Sequence, residues 1–364
     1  DRLFCWRLLH NLVTKTQFMR ISISSALLLV ILNLSAALAQ DIHFSQFHFT
    51  PVINNPANSG NQNTYRAIIN YRNQWKSVSS PYKTGSATVD GPFGESLASE
   101  SGRLGWGFNV FSDEAGQSEM ATLQTSGTVA YHLNTGENAV LSAGLMVGYV
   151  SRSMNMANLT WGNQFDGYSY NSSLPDGEVK VSDKVSYVDL GAGLSYSYKK
   201  GERYMTGNDQ LQINGGLAYF HPHKPDYSFT GTEEKLNAKL VMHGEAMVGL
   251  PNTSLSLVPS FMVLSQGSQS EINVGTMLRF VMKTESNYTG FEKGRAVSLG
   301  IHTRMGDAVI PSVMAEFGAY ALGVSYDINL SDLDAVSSKR GGMEVAFRYL
   351  AAPKKKSGGG SRRY

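Results

Sequence analysis

The feature that most constrains this chain is a period of two. Between residues 187 and 198, Val188, Leu190, Ala192, Leu194, Tyr196 and Tyr198 alternate with Asp189, Gly191, Gly193, Ser195 and Ser197. Between 319 and 330, Tyr320, Leu322, Val324, Tyr326, Ile328 and Leu330 alternate with Ala319, Ala321, Gly323, Ser325 and Asp327. A strand turns successive side chains to opposite faces, so each run has one apolar face and one small or polar face. Two architectures accept such strands. A sandwich buries the apolar face between sheets, whereas a membrane barrel turns it to lipid and keeps small and polar groups in its lumen. Several runs reach ten or more residues, longer than the usual strand of about 5–6. Aromatics sit at run ends (Tyr65, Trp75, Tyr149, Tyr196, Tyr198, Phe220, Tyr349), where interface girdles lie. The polar faces carry Arg and Glu, which lipid does not tolerate. The pattern predicts an all-β, single-chain, transmembrane antiparallel β-barrel.

The strands are predicted at 65–75, 82–91, 103–111, 119–131, 138–150, 185–199, 211–220, 237–250, 254–264, 270–283, 295–304, 310–317, 319–330 and 341–349. That is about 14, an even number as single-chain bacterial barrels have. Turn signals such as "NTGEN", "PNT" and "KRGG" separate them. The longest connections, 151–184 and 221–236, follow odd-numbered strands. With a periplasmic start to the first strand they become extracellular loops, the usual asymmetry of such barrels.

Residues 19–39 form a secretory signal: Arg20, an apolar run from Ala26 to Leu34, and a small-x-small site at Ala37-Leu38-Ala39, with cleavage expected near Ala39. Residues 1–18 read as translated upstream sequence, with Met19 the start. Cys5 lies in that stretch, so the exported chain is expected to hold no thiol and no lipid-bearing cysteine. Residues 1–39 contain Arg2, Arg7, Lys15, Arg20 and Asp1. Of the 31 basic and 29 acidic residues, the rest of the chain therefore keeps 27 and 28. Five of the 27 lie in "KKKSGGGSRRY", leaving a body of 22 basic against 28 acidic residues. That balance gives no electrostatic footprint for nucleic acid. The tail, 353–364, is expected to be a flexible basic extension of the barrel domain 40–352, resting on anionic lipid or an acidic partner, or simply solvated.

The stretch "QDIHFSQFHFTPVINNPANSG" (40–60) has neither a helical period nor alternation. A free segment this aromatic is a sticky liability in water. Residues 41–62 are therefore expected to plug or cap the periplasmic side. Phe44, Phe47 and Phe49 would pack into the mouth or lumen, and Pro56 would turn the chain toward the wall.

This stretch, with "YRAIINYRNQW" (65–75), "PYKTGSATVD" (81–90) and "YDINLSDLDAVSSKRGGMEVAFRY" (326–349), resembles the PorP/SprF family of Bacteroidetes outer-membrane proteins of type IX secretion and gliding motility. The resemblance covers most of the chain after residue 40 and is weakest in 151–184. It implies a barrel that partners type IX secretion or gliding machinery, or secreted adhesins with C-terminal sorting domains, and it implies no catalysis. An outer-membrane porin or transporter for small or hydrophobic solutes is the alternative.

Other chemistry finds little support in the residue pattern. Asp41, His43 and His48 match no common ligand spacing, and His221 and His223 read as loop histidines. His132, His243 and His302 come without a G-x-S-x-G nucleophile. Gly105/Gly107 and Gly191/Gly193 lie within strand runs, where close backbone packing explains them. No cofactor is expected. Two groups of residues are candidates for function. Arg66, Arg72, Arg279, Arg348 and Glu344 alternate opposite apolar neighbours and are expected to form a charge network in the lumen. Trp161, Phe165, Tyr168 and Tyr170 lie among Asn, Gly and Ser in the longest loop, a mixture typical of recognition loops.

Overall fold

The computed structural model describes residues 41, 43–62, 64–75, 81–94, 101–116, 119–155, 160–175, 177, 182–201, 208–229, 231, 233–283, 294–331 and 339–351. The expectations for 1–18, the signal 19–39 and the tail 353–364 lie outside the described residues. Asp41 and Gln266–Gln269 form a small unit by themselves, in which the Asp41 N–H donates to Gln266 Oε1 at 2.8 Å.

Fourteen strands form: β1 (Tyr65–Gln74), β2 (Tyr82–Pro92), β3 (Gly102–Ala115), β4 (Met120–Gly136), β5 (Ala139–Ser153), β6 (Lys184–Lys200), β7 (Leu211–Phe220), β8 (Lys239–Gly249), β9 (Leu255–Gln266), β10 (Gln269–Lys283), β11 (Arg295–Arg304), β12 (Ala308–Phe317), β13 (Tyr320–Asn329) and β14 (Arg340–Ala351). Each pairs with its sequence neighbours, and β1 pairs antiparallel with β14 to close the barrel. Closure leaves no strand edge unpaired, which lipid requires of any spanning sheet. Among the described residues no helix is long and apolar enough to cross a membrane.

The alternation sorts as the period of two dictates. Ile69 is 58% exposed and Leu145 67%, and both lie on the outer face. Their neighbours Ile68 and Gly144 are buried and face inward. Val147, Leu299 and Ile301 extend the outer apolar band. At the outer surface near the chain's end, Tyr320 stacks on Tyr349 at 5.1 Å and on Phe347 at 6.0 Å. Phe220 departs from the expected girdle. It is buried and packs inside with Phe47, Met146 and Met262, because it falls on the inward parity of β7.

The strand directions define two mouths. At one, β1 begins, with Tyr65 opposite Ala351; at the other it ends, with Gln74 opposite Gly342. β5 and β7 run in the same sense as β1, so the connections 154–183 and 221–238 both leave the second mouth. The lumen between the mouths holds residues 43–62.

Candidate functional site

Two prolines shape the inner segment. Proline disfavours helix in the residue before it and suits the first helical position. Thr50 and Asn55 both precede prolines and both lie outside helix; Asn55 is extended, at φ −157°. Pro51 opens a single turn, α1 (Pro51–Asn54), and Pro56 opens a 3-10 turn, Pro56–Asn58. Asn55 serves two purposes. Its Oδ1 accepts the Ala57 N–H at 2.9 Å, and its Nδ2 donates to the Leu194 carbonyl of β6 at 2.9 Å.

The wall makes room for this segment with glycine. A Cβ on Gly105 would strike the Ser59 carbonyl, one on Gly144 the Ala57 backbone, and one on Gly193 the Asn55 side chain. At Gly216 it would lie 2.6 Å from Asn55 Nδ2. The inward glycines of β3, β5, β6 and β7 are thus a groove cut to the shape of residues 55–59. Phe49 and Phe47 pack against different sectors of the wall that meet at β9. Phe49 packs with Ile68, Val258, Met277, Met314 and Ala346, and Phe47 with Ala218, Phe220, Val241 and Met262. Phe44 meets Phe111 of β3 edge to face at 6.3 Å.

Charged side chains fasten the segment at both mouths. Near the second mouth, Arg72 Nη2 lies 2.7 Å from Asp327 Oδ2, and Arg304 Nη2 lies 2.9 Å from the same oxygen. Ser45 Oγ donates to Asp327 at 2.9 Å. Glu344 accepts the backbone N–H of Ser45 at 2.8 Å and of Gln46 at 2.9 Å. Arg72 Nη1 donates to the His43 carbonyl, and His43 Nε2 lies 3.0 Å from Glu271 Oε2. Arg72 and Glu344 are each only 1% exposed. A register shift between Asp327 and Ile328 accompanies this cluster. Near the first mouth, Arg66 holds Asp90 at 2.8 Å through Nε, and Asp90 Oδ2 accepts the Gly60 N–H at 2.8 Å. Gly60 is at φ +67°, and a Cβ there would sit 2.5 Å from the Gly91 carbonyl, so both conformation and space call for glycine.

The five charged residues singled out from sequence do not form one network. Arg72 and Glu344 belong to the second-mouth cluster, whereas Arg66 pairs apart from them with Asp90. Arg279 and Arg348 share Glu316, at 2.6 and 3.1 Å, and Arg348 also lies over the Phe49 ring at 5.7 Å. Sequence reasoning missed Asp90, Asp327, Glu316 and Arg304, and read Asn55 only as part of a turn. The available signal was an acid on the small-residue face of an alternating run, the position that Asp90 and Asp327 occupy.

The structure places the two ends of the inner segment near different mouths. The sequence reading put 41–62 at the periplasmic side, the mouth where β1 begins, with Phe44, Phe47 and Phe49 in that mouth or in the lumen. Residues 58–61 are there, but His43–Gln46 bond to Glu344, Asp327, Arg304 and Glu271 near the other mouth. Adjacency to β1 constrains only the segment's last residues. Its first residues follow Glu344 on β14, which accepts the Ser45 and Gln46 N–H groups, and Asp327 on β13, which accepts the Ser45 hydroxyl.

The long connection 154–183 is organised around Gln164. Its side chain accepts the Trp161 N–H at 3.2 Å and donates to the Leu174 carbonyl at 3.3 Å, while its backbone carbonyl accepts the Asn171 N–H at 2.8 Å. Phe165 and Tyr170 bridge. At the tip, Asp166 Oδ1 accepts the N–H groups of Tyr168 and Ser169, both at 2.8 Å, and Tyr168 stands 97% exposed. Phe165 and Tyr170 are exposed beside it, and Trp161 is half-buried at the base. The neighbouring connection braces this loop. Ser182 N–H donates to the Phe229 carbonyl at 3.3 Å, and the Arg152 guanidinium lies over the rings of Tyr227 at 4.9 Å and Phe229 at 5.8 Å.

The family model described as type IX secretion system membrane protein PorP/SprF matches residues 36–349. No curated protein matches the chain. Among solved structures the chain is similar to the translocator domain of autotransporter NalP from Neisseria meningitidis, at 10% identity and TM-score 0.30, over 79% of this chain and 89% of that one. It is similar to the monoaromatic hydrocarbon channel TodX in a deltaS2S3 mutant, at 10% identity and TM-score 0.47, over 83% and 94%. It is also similar to a Pseudomonas aeruginosa FadL homologue, at 10% identity and TM-score 0.43, again over 83% and 94%.

Proposed function

Because the chain belongs to the PorP/SprF family of type IX secretion system membrane proteins, we propose that its outer-membrane barrel is a non-catalytic docking unit, plugged by its own residues 43–62. The observation that carries this reading is the filled lumen. Phe47 and Phe49 pack against different sectors of the wall, and charged groups fasten the segment near both mouths. A porin needs a wide unobstructed lumen, and the segment occupies that space.

The partners follow from the family and from the two faces. The mouth where β1 begins faces the periplasm and meets machinery of type IX secretion or gliding. The mouth bearing 154–183 faces outward and meets a secreted adhesin or its C-terminal sorting domain, through Phe165, Tyr168 and Tyr170. An exposed aromatic tip held by the hydrogen bonds of Gln164 and Asp166 has less to order on binding, which favours recognition. The signal directs export and is cleaved near Ala39.

The test is purification of the barrel from outer membranes with identification of what accompanies it, repeated after removal of residues 158–178. The reading expects machinery proteins with both forms, and an adhesin or sorting domain with the full chain alone. An unchanged adhesin on the shortened barrel would assign the loop to capping the mouth instead.

A further inference from the structure

We infer that the inner segment threads the barrel from mouth to mouth, so that its amino-terminal end, His43–Gln46, lies on the same membrane face as the 154–183 loop. The path can be followed bond by bond. Ser45 and Gln46 are held by Glu344 and Asp327. Glu344 stands opposite Arg72 near the end of β1, and Asp327 lies near the end of β13, so both are close to the loop-bearing mouth. Arg304, the last residue of β11, donates to Ser45 Oγ at 2.6 Å, and Phe44 touches Phe111, well along β3 toward the same mouth. The chain then descends. Asn55 bonds to the Leu194 and Leu217 carbonyls in the middle of the wall. Ser59 lies against Gly105, early in β3, and its carbonyl meets His132 Nε2 at 2.8 Å. Gly60 bonds to Asp90, near the end of β2, where β1 begins at Tyr65.

The consequence is an interaction face with two components. The mouth that carries the loop aromatics also carries the segment's own amino-terminal end, His43 included, whose side chain is 21% exposed. A protein docking over Tyr168 meets both only if it reaches across the mouth. Calling this face the cell surface rests on the proposed function; threading itself does not.

The expected loss of Cys5 with the leader leaves a thiol-free background for labelling. Single variants His43→Cys, Tyr168→Cys and Glu137→Cys are probed on cells with a membrane-impermeant maleimide, before and after the outer membrane is permeabilised. Glu137, in the β4–β5 turn, reports the mouth where β1 begins. Threading requires His43→Cys to label with Tyr168→Cys and apart from Glu137→Cys. It is overturned if His43→Cys labels with Glu137→Cys. If Tyr168→Cys and His43→Cys both label only after permeabilisation, threading stands and the outward orientation fails. A His43→Cys that labels under neither condition is decided by the pair Phe44→Cys and Phe111→Cys. A short bis-maleimide should join them in folded barrels, and its failure to do so overturns the path.

Discussion

Arg72 on β1 and Asp327 on β13 are 255 residues apart in sequence and 2.7 Å apart in the lumen, with β14 lying between their strands at the seam that closes the barrel. The contact joins the first strand to the last hairpin. Through Ser45 and Glu344 it also joins both to the inner segment, so closing the seam and seating the segment are coupled.

Asp327→Asn should therefore destabilise the barrel more than its single lost charge suggests. It leaves Arg72 and Arg304 buried with weakened compensation, and breaking one side of a buried ion pair costs about 3–5 kcal/mol. Urea unfolding in lipid vesicles should show a lower midpoint, and electrophoresis of unheated samples more unfolded chain. A midpoint equal to that of the parent would remove the pair from the account.

Asn55→Ala removes the cap on the 3-10 turn and the ties to Leu194 and Leu217. At about 1 kcal/mol for each net hydrogen bond, the segment loses about 2–3 kcal/mol of its hold on the wall. Protease digestion of reconstituted barrels should cut residues 43–62 faster while the strands stay protected. Equal protection of the segment in both proteins would contradict the role given to Asn55.

Leu145→Arg should destabilise by about 2–4 kcal/mol, since it places a charge on the lipid face near the middle of β5. The same measurement on the outward-facing but solvated Tyr168→Arg should show almost no change. Similar losses at both positions would mean that the outer face is not the lipid face.

Docking through the 154–183 tip should depend on pH in one direction. The N–H groups of Ser169 and Tyr168 hold the Asp166 carboxyl below the usual carboxylate range. A group whose folded value is depressed contributes stability above its free value and loses it as pH falls through the folded one. Adhesin binding should thus be flat from neutral pH to about pH 4 and decline only below that. Asp166→Asn, which keeps the acceptor without the charge, should abolish the decline. Tyr168→Ala should weaken binding about thirtyfold at every pH, the scale of an aromatic hot spot of about 2 kcal/mol. A decline already under way at pH 6 would contradict the tip's role.

The barrel was legible because its signal is local and redundant. Every strand repeats the same two-residue parity, and a boundary error of a few residues does not alter which face Ile69 or Leu145 occupies. The inner segment was legible only in part. Phe44, Phe47 and Phe49 announce burial by their apolarity, but nothing in their spacing says toward which mouth they run. That direction is set by Asp327 and Glu344, about 300 residues later, through bonds to the Ser45 hydroxyl and to the Ser45 and Gln46 N–H groups, which carry no sequence signature. The partners of Arg66 and Arg279 were hidden for the same reason. Asp90 and Glu316 lie on other strands, and pairing between strands depends on the registers of the closed sheet. The loop tip stood out by composition, whereas Gln164, which shapes it, looks like any other polar residue.

The central claim is that the lumen is filled by the chain's own residues 43–62. Conductance in planar bilayers tests it most directly, with the full chain compared against a chain lacking residues 43–58 that still migrates as a folded barrel. The account predicts a closed full-length barrel and a stable open pore in the shortened one. A full-length barrel that conducts as well as the shortened form would contradict it and restore the porin reading.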